Sequence, residues 1–275
     1  MRQPSPATSI FLDLYHLNPS GVDLKLLGEV ATQFANLPWE NLTKFLKKHR
    51  GNTVQAENSD NQILRRSKEV LRDHARLGTG GTCFSLTNAL HRIVTDIGFS
   101  AFCATADMQH GPNIHCALVV ELEGRRFLLD PGYLVAEPVP LDLSQTVQVQ
   151  LPGHRLEYRP GPARDQIQLF SVTAQGQEIF RYSLRTQPVA PADFLTFWQD
   201  SFAATGMNSL HLNRLTSEGR LSAHNFNLRI ESGSGKRNLK LREGYVDKVS
   251  DRFGLDPRVV NQAYTTWERQ RCRNR

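Results

Sequence analysis

The sequence predicts an α+β protein whose helices and strands are segregated along the chain. Three observations carry this. Apolar residues recur at helical spacing through the first 98 positions, the period changes to two directly after Gly98, and beyond Pro188 both patterns appear in turn. The expected parts are a helical segment carrying a reactive thiol over residues 1–98, an antiparallel sheet or barrel over 99–190, and a mixed α/β segment over 191–275.

Taken in order, Ile10-Phe11-Leu12-Asp13-Leu14-Tyr15 reads as a short apolar turn, and Asp23 to Phe34 as a helix ended by the break at Pro38. His49 to Asp60 has no apolar period and predicts an exposed loop, after which Ile63-Leu64 and Val70-Leu71 mark a charge-rich helix. From Cys83 the set Leu86, Ala89, Leu90, Ile93, Val94 and Ile97 keeps a helical period and stops at Gly98, a residue suited to a left-handed C-terminal position. Ser100 to Thr105, Ile114 to Leu122 and Arg125 to Leu129 read as strands, the last two joined by a two-residue turn at Glu123-Gly124. Val147 to Leu151, Gln166 to Thr173 and Ile179 to Leu184 continue the strands. Ala192 to Phe202 predicts a helix, Ser209 to Ile230 alternates like strand, and Tyr245 to Phe253 is a short amphipathic helix. With no internal repeat and no low-complexity linker, the parts are expected to pack on one another.

A chain of 275 residues, 39% hydrophobic with 14 Phe, has the apolar content for a sizeable core. Its formal charge of +6 suits an acidic partner, but Arg269, Arg271, Arg273 and Arg275 supply part of it and read as a solvated tail. Those arginines lack the interleaved aromatics of a nucleic-acid module, so nucleic acid is not the expected partner. Met1-Arg2-Gln3-Pro4-Ser5-Pro6 lacks an apolar leader core, and no apolar run approaches the roughly eighteen residues that cross a bilayer. The expectation is a soluble, cytoplasmic protein without membrane attachment. Cys83, Cys103, Cys116 and Cys272 lie in unrelated contexts with no CxxC pair, which predicts reduced thiols. His110, His115 and Cys116 lack paired short spacings, and Cys116 points away from His115 on an alternating strand, so no metal is expected.

The chemistry centres on Gly78-Thr79-Gly80-Gly81-Thr82-Cys83-Phe84-Ser85-Leu86-Thr87-Asn88, where glycine-rich backbone enters a helix and leaves a thiol at its mouth. Helix N-terminal amides favour the thiolate, and glycines permit close approach. Asn113-Ile114-His115 and Leu128-Leu129-Asp130-Pro131-Gly132 follow, so Cys, His and Asp occur in sequence. If Glu123-Gly124 is a two-residue turn, Leu122 pairs with Arg125, His115 stands opposite Gly132 and Ala117 opposite Asp130. His115 and Asp130 then share a face as diagonal neighbours about 7–8 Å apart. A three-residue turn moves Asp130 to the other face. Singly, each residue has a plainer reading: a small buried hydrophobe, a satisfied core histidine, a turn. In this order, with Gly-Gly before the thiol and a hairpin between base and acid, they point to nucleophilic catalysis.

These motifs resemble those of the arylamine N-acetyltransferase family. Its Arg-Gly-Gly-aromatic-Cys-Phe-Glu-x-Asn pattern is similar to Thr79-Gly80-Gly81-Thr82-Cys83-Phe84-Ser85-Leu86-Thr87, and its Pro-Phe-Glu-Asn-Leu to Pro38-Trp39-Glu40-Asn41-Leu42. Its Thr-His strand resembles Ile114-His115-Cys116-Ala117-Leu118-Val119-Val120, and its Asp-Val-Gly-Phe-Gly resembles Asp130-Pro131-Gly132-Tyr133-Leu134. The likeness spans at least Leu24 to Tyr133; Val246 to Leu255 is similar to the family's terminal helix. It implies an N-terminal helical bundle, a central antiparallel β-barrel and a C-terminal α/β lid around a cysteine-protease-like core. It also implies a catalytic triad of Cys83, His115 and Asp130, acetyl-CoA or another acyl-CoA as donor, and a small arylamine, arylhydrazine or arylhydroxylamine as acceptor. Gly132, Tyr133 and Leu134 would form the loop that the cofactor's pyrophosphate approaches.

Thr79, Thr82 and Ser85 replace the family's arginine, aromatic residue and glutamate, which removes a charged support beside the nucleophile while Glu40 remains. Leu134 replaces a glycine and is expected to narrow the cofactor's entry. Two other readings stand beside the acyltransferase: a CoA-independent thiol hydrolase or amide-forming enzyme on the same triad, and a non-catalytic basic protein that binds nucleic acid.

Overall fold

The computed structural model describes residues 3–51 and 63–273. Helix α1 (Pro6–Tyr15) begins at Ser5, whose hydroxyl accepts the Thr8 amide, and Pro6 occupies the first turn where its missing N–H costs nothing. The stretch expected as a short turn is thus part of a ten-residue helix. Asp96 pins its start by accepting the Ser5 amide at 2.9 Å and the Thr8 hydroxyl at 2.6 Å. Helix α2 (Leu24–Phe34) is capped by Asp23, which accepts the Leu26 amide at 2.7 Å. Helix α3 (Leu42–Gly51) runs into the stretch expected as a loop; residues 52–60 of that stretch lie outside the described residues. Ile63 and Leu64 precede helix α4 (Ser67–Leu77) rather than belonging to it, and helix α5 (Cys83–Ile97) ends at the left-handed Gly98 as its pattern predicted.

After strand β1 (Trp39–Glu40), the strands of the central part follow α5: β2 (Ser100–Met108), β3 (Gly111–Leu122), β4 (Arg125–Leu129), β5 (Val139–Pro140), β6 (Val147–Leu151), β7 (His154–Pro160), β8 (Gln166–Thr173) and β9 (Glu178–Arg185). They form an antiparallel sheet in the order β5-β4-β3-β2-β9-β8-β7-β6 that curls until its edge strands approach each other, a nearly closed barrel. Alternation along β3 sorts the side chains. Ala117 and Val119 fill the barrel with Ala104, Leu156, Leu169 and Tyr182, while Leu118 and Val120 pack outward on Leu86, Leu90, Ile93 and the apolar faces of α1 and α2. The segment β7 was not read from the sequence; it is the return strand of a tight turn at Pro152-Gly153, where Gly153 has φ 79°.

Helix α6 (Pro191–Ser201) leads into strands β10 (His211–Thr216), β11 (Gly219–His224), β12 (Asn227–Ser232) and β13 (Gly235–Lys240). The alternating stretch therefore extends past Ile230 as consecutive hairpins, and β1 completes the sheet in the order β1-β10-β11-β12-β13. Helices α7 (Tyr245–Phe253) and α8 (Pro257–Arg273) cover it, and α3 packs against α8. The arginine-rich end is a correction to the sequence analysis. Val259, Val260, Ala263 and Trp267 bury one face of α8, and Arg269, Arg271 and Arg273 are solvated as expected but stand on the exposed last turns of this helix. Arg271 lies over the Trp267 ring at 5.2 Å. The signal was present as Asp256-Pro257, an N-cap followed by a first-turn proline.

Gly80 and Gly28 should respond to alanine with opposite signs. A Cβ on Gly80 would stand 1.7 Å from the Pro38 carbonyl oxygen, whereas one on Gly28, inside α2, meets nothing within 4 Å. Urea denaturation of Gly80→Ala should show a loss of about 1–3 kcal/mol, and that of Gly28→Ala a gain of roughly 0.5–1 kcal/mol.

Candidate active site

The loop before α5 is held tightly. The Glu40 amide donates to the Gly81 carbonyl at 3.0 Å and the Gly81 amide to the Pro38 carbonyl at 3.3 Å, so β1 and the Gly80-Gly81 backbone lie side by side. Arg65 reaches into this contact and donates to the Gly80 carbonyl. Its guanidinium, 4% exposed, also lies 3.5 Å from the fully buried Glu40 carboxylate and 3.1 Å from Asp73. The Thr43 amide and hydroxyl complete Glu40 at 2.9 and 2.8 Å. The charged support that Thr79 and Ser85 do not provide therefore exists, and it comes from Arg65.

Cys83 is the first residue of α5, and its Sγ lies 3.8 Å from the Ile114 carbonyl oxygen. The hairpin has the register the two-residue turn predicts: Leu122 opposite Arg125 and Leu118 opposite Leu129, with Glu123 and Gly124 both left-handed. His115 and Asp130 consequently face the barrel interior together. His115 Nε2 donates to Asp130 Oδ2 at 3.3 Å, which leaves Nδ1 for the thiol side. Asp130 also accepts the Tyr182 hydroxyl at 2.7 Å and, through Oδ1, the Tyr133 amide at 3.2 Å. The Tyr182 ring stacks on the imidazole at 4.7 Å and Tyr133 meets it edge-on at 5.3 Å. Gly132 gives the tightest measure of convergence. A Cβ there would fall 2.7 Å from His115 Cε1, 3.0 Å from Cys83 Cβ and 3.3 Å from Asp130 Oδ1. Thus all three predicted groups surround one glycine.

The charges follow from this geometry. The Cys83 thiol is depressed to about 5: the Cys116 side-chain hydrogen bond contributes most, burial opposes it, and His115 and the Phe84 amide add to the depression. Burial alone would lower His115, but the Asp130 charge and hydrogen bond, helped by Cys83, raise it to about 10. Between those limits the pair is thiolate and imidazolium. Burial pushes Cys103 up to about 12, and burial together with the Cys83 side chain holds Cys116 well above the usual thiol range. Tyr182, Arg65 and Cys116 are the residues that sequence reasoning missed. Tyr182 arrives through the β2–β9 pairing and Arg65 from the turn before α4, contacts that no local pattern encodes. Cys116 does face away from His115, yet its thiol meets Cys83 at the end of α5.

The thiol opens into a cavity of about 1200 Å³ lined by Cys83, His115, Gly132 and Tyr133 on one side and by β11 and β12 on the other. Leu134 departs from expectation. It is left-handed, with φ 57°, and 1% exposed, and its side chain does not line the cavity, so it does not narrow the entry. Among the described residues there is no group of three His, Cys, Asp or Glu side chains placed to hold a metal ion, and no helix long and apolar enough to cross a membrane.

Fold and sequence together define an acetyltransferase: a family model described as N-acetyltransferase matches residues 23–260. The particular family is that of the arylamine N-acetyltransferases, to which this chain belongs. The arylamine N-acetyltransferase of Mycobacterium abscessus superposes with a TM-score of 0.76 at 17% identity, over 95% of this chain and 94% of that one. The Mycobacterium marinum enzyme in complex with CoA gives 0.72 at 15% identity, over 95% and 98%. A Bacillus cereus member described with a Cys-His-Glu catalytic triad gives 0.69 at 16%, over 92% and 99%. No curated protein sequence matches the chain.

With the Cys83 thiol depressed to about 5, its alkylation by iodoacetamide should stay nearly level from about pH 6 to 9 and fall only in more acid solution. A free thiol near 8.5 would instead slow about tenfold per pH unit below that value. Such a slope, followed by mass spectrometry of the Cys83 peptide, would show that the thiolate is not stabilised. For Leu134→Gly, loss of a buried leucine outweighs relief of the left-handed backbone. Thermal and urea unfolding should show a loss of about 1–4 kcal/mol.

Proposed function

We propose that this chain moves an acetyl group from acetyl-CoA to the nitrogen of a small aromatic amine, hydrazine or hydroxylamine by a ping-pong reaction through Cys83. The Cys83 thiolate attacks the thioester carbonyl carbon, the C–S bond to CoA breaks, and the departing CoA thiolate takes the proton carried by His115. Neutral His115 then accepts a proton from the acceptor nitrogen as that nitrogen attacks the acetyl-cysteine, and the thiolate is restored. Asp130 holds the imidazole in one orientation and stabilises its charged form. Exchange of one thioester for another is nearly isoenergetic, and a weakly basic aromatic amine arrives uncharged and ready to attack. Gly132 and Tyr133 flank the thiol where the donor would enter. In this reading residues 1–98 carry the nucleophile, 99–190 the base and acid, and 191–275 the lid.

The observation that carries the reading is the convergence of Cys83, His115 and Asp130 on the place where a Cβ at Gly132 would stand. Intact-mass analysis after mixing with acetyl-CoA, without acceptor, should show the gain of one acetyl group, mapped to Cys83. Asp130→Asn should remain folded and lose about 10²–10⁴-fold in transfer. Acetylation elsewhere, or near wild-type turnover in a folded Asp130→Asn protein, would remove the triad as drawn. A Cys83 that reacts with iodoacetamide but never with acyl-CoA would move the assignment to CoA-independent thiol chemistry.

A further inference from the structure

The wall of the cavity facing the triad holds more positive than negative charge. Arg181 on β9, Arg220 on β11, and Glu231 and Lys236 on β12 and β13 all line it. Glu231 is the carboxylate of this group, and its oxygens lie 3.6 Å from His154 Nδ1 and 3.7 Å from Lys236 Nζ. Arg220 donates from Nη1 to His154 Nε2 at 3.0 Å, and its buried Nε has no hydrogen-bond partner among the described residues. Arg181 donates to the Ser171 hydroxyl at 2.8 Å. Among those residues, neither guanidinium has a carboxylate within 4.0 Å.

Two cations that repel each other, one with an unsatisfied buried N–H, are costly unless something anionic comes between them. His154 adds no counter-charge. Burial, reinforced by Arg220, keeps its imidazole neutral, so it serves as an acceptor that orients Arg220. The pair is also close to the chemistry, because both guanidinium charges act on the Tyr133 hydroxyl and the Tyr133 ring touches His115. A planar guanidinium fork with free N–H groups matches a carboxylate or a phosphate oxygen pair.

We propose that Arg181 and Arg220, with Arg220 oriented by His154, form an anion subsite that seats a carboxylate or phosphate group of a substrate whose reactive end reaches Cys83. This deepens the acyltransfer reading and rests on it for the word substrate. The shared chemistry has two sources, a carboxylate on the aromatic acceptor or a phosphate of the CoA donor.

Matched pairs separate them. For wild type, Arg220→Gln and Arg181→Gln, KM is measured for 4-aminobenzoate against its neutral methyl ester, and for acetyl-CoA against S-acetylpantetheine, which has no phosphate. A rise of about tenfold or more for one anionic partner, with its neutral counterpart within about twofold, is expected and names the source. Equal rises for charged and neutral partners would mean a structural role, and no rise for either would mean no subsite; each overturns the proposal. Arg181→Gln carries the test if Arg220→Gln does not fold, since Arg181 is the more loosely held of the two. Calorimetric titration of the wild type with benzoate and with inorganic pyrophosphate needs no turnover. Binding there that disappears in the glutamine variants supports the subsite even if Cys83 is never acetylated, and absence of binding of both anions counts against it.

Discussion

Asp130 has no exposure to solvent, and a carboxylate so placed is stable only when its oxygens are hydrogen bonded and its charge is answered. Each of its partners contributes to the site. The Tyr133 amide ties the carboxylate to the turn that follows β4 and so carries Gly132 against the thiol. The Tyr182 hydroxyl takes one lone pair and brings a ring to stack on the imidazole. His115 supplies the remaining donor, and its raised proton affinity is the direct consequence of that buried charge. The low proton affinity of Cys83 is in part the next link, since a thiolate beside an imidazolium is favoured by the same field. Moving the Asp130 carboxylate would unsettle the turn, the ring packing and the thiol together.

A second buried carboxylate does comparable work on the other side of Cys83. Glu40, also without exposure, is met by Thr43 and Arg65, and Arg65 donates in turn to the carbonyl of Gly80. The thiol therefore sits on a loop clamped between β1 and a buried guanidinium, with glycines where the backbones meet. Compared with the family's usual motif, the cation reaches the loop from residue 65 while residue 79 is a threonine. A cation placed from another part of the chain thus pairs with the buried Glu40 and supports the loop without an arginine at residue 79.

That Cys83, His115 and Asp130 come together was legible because their placement is governed by local rules. A helical period beginning at Cys83 places the thiol at the helix mouth, and a two-residue turn at Glu123-Gly124 sets the parity that puts His115 and Asp130 on one face. Helix α7 and the strands at Val147–Leu151 and Gln166–Thr173 came out with the bounds their patterns predicted. The misreadings had physical causes. The face of α8 that is buried is narrow within a strongly polar sequence, so its arginines drew attention before its valines and Trp267. Leu134 looked like an obstruction because its neighbours in sequence line the cavity, but the left-handed backbone at that position turns its side chain into the protein.

The sequence by itself determined the order of the elements, the segregation of helix and strand, and the face shared by the histidine and the aspartate, since period and turn length act over a few residues. Only the tertiary structure decided what surrounds them. Tyr182 reaches Asp130 across 52 positions of chain, Cys116 meets Cys83 where a helix end abuts a strand, and Arg220 and Tyr133 line one cavity although 87 positions separate them. Burial, pairing of charge and the walls of the cavity depend on which distant surfaces come together, and that depends on the packing of the whole chain.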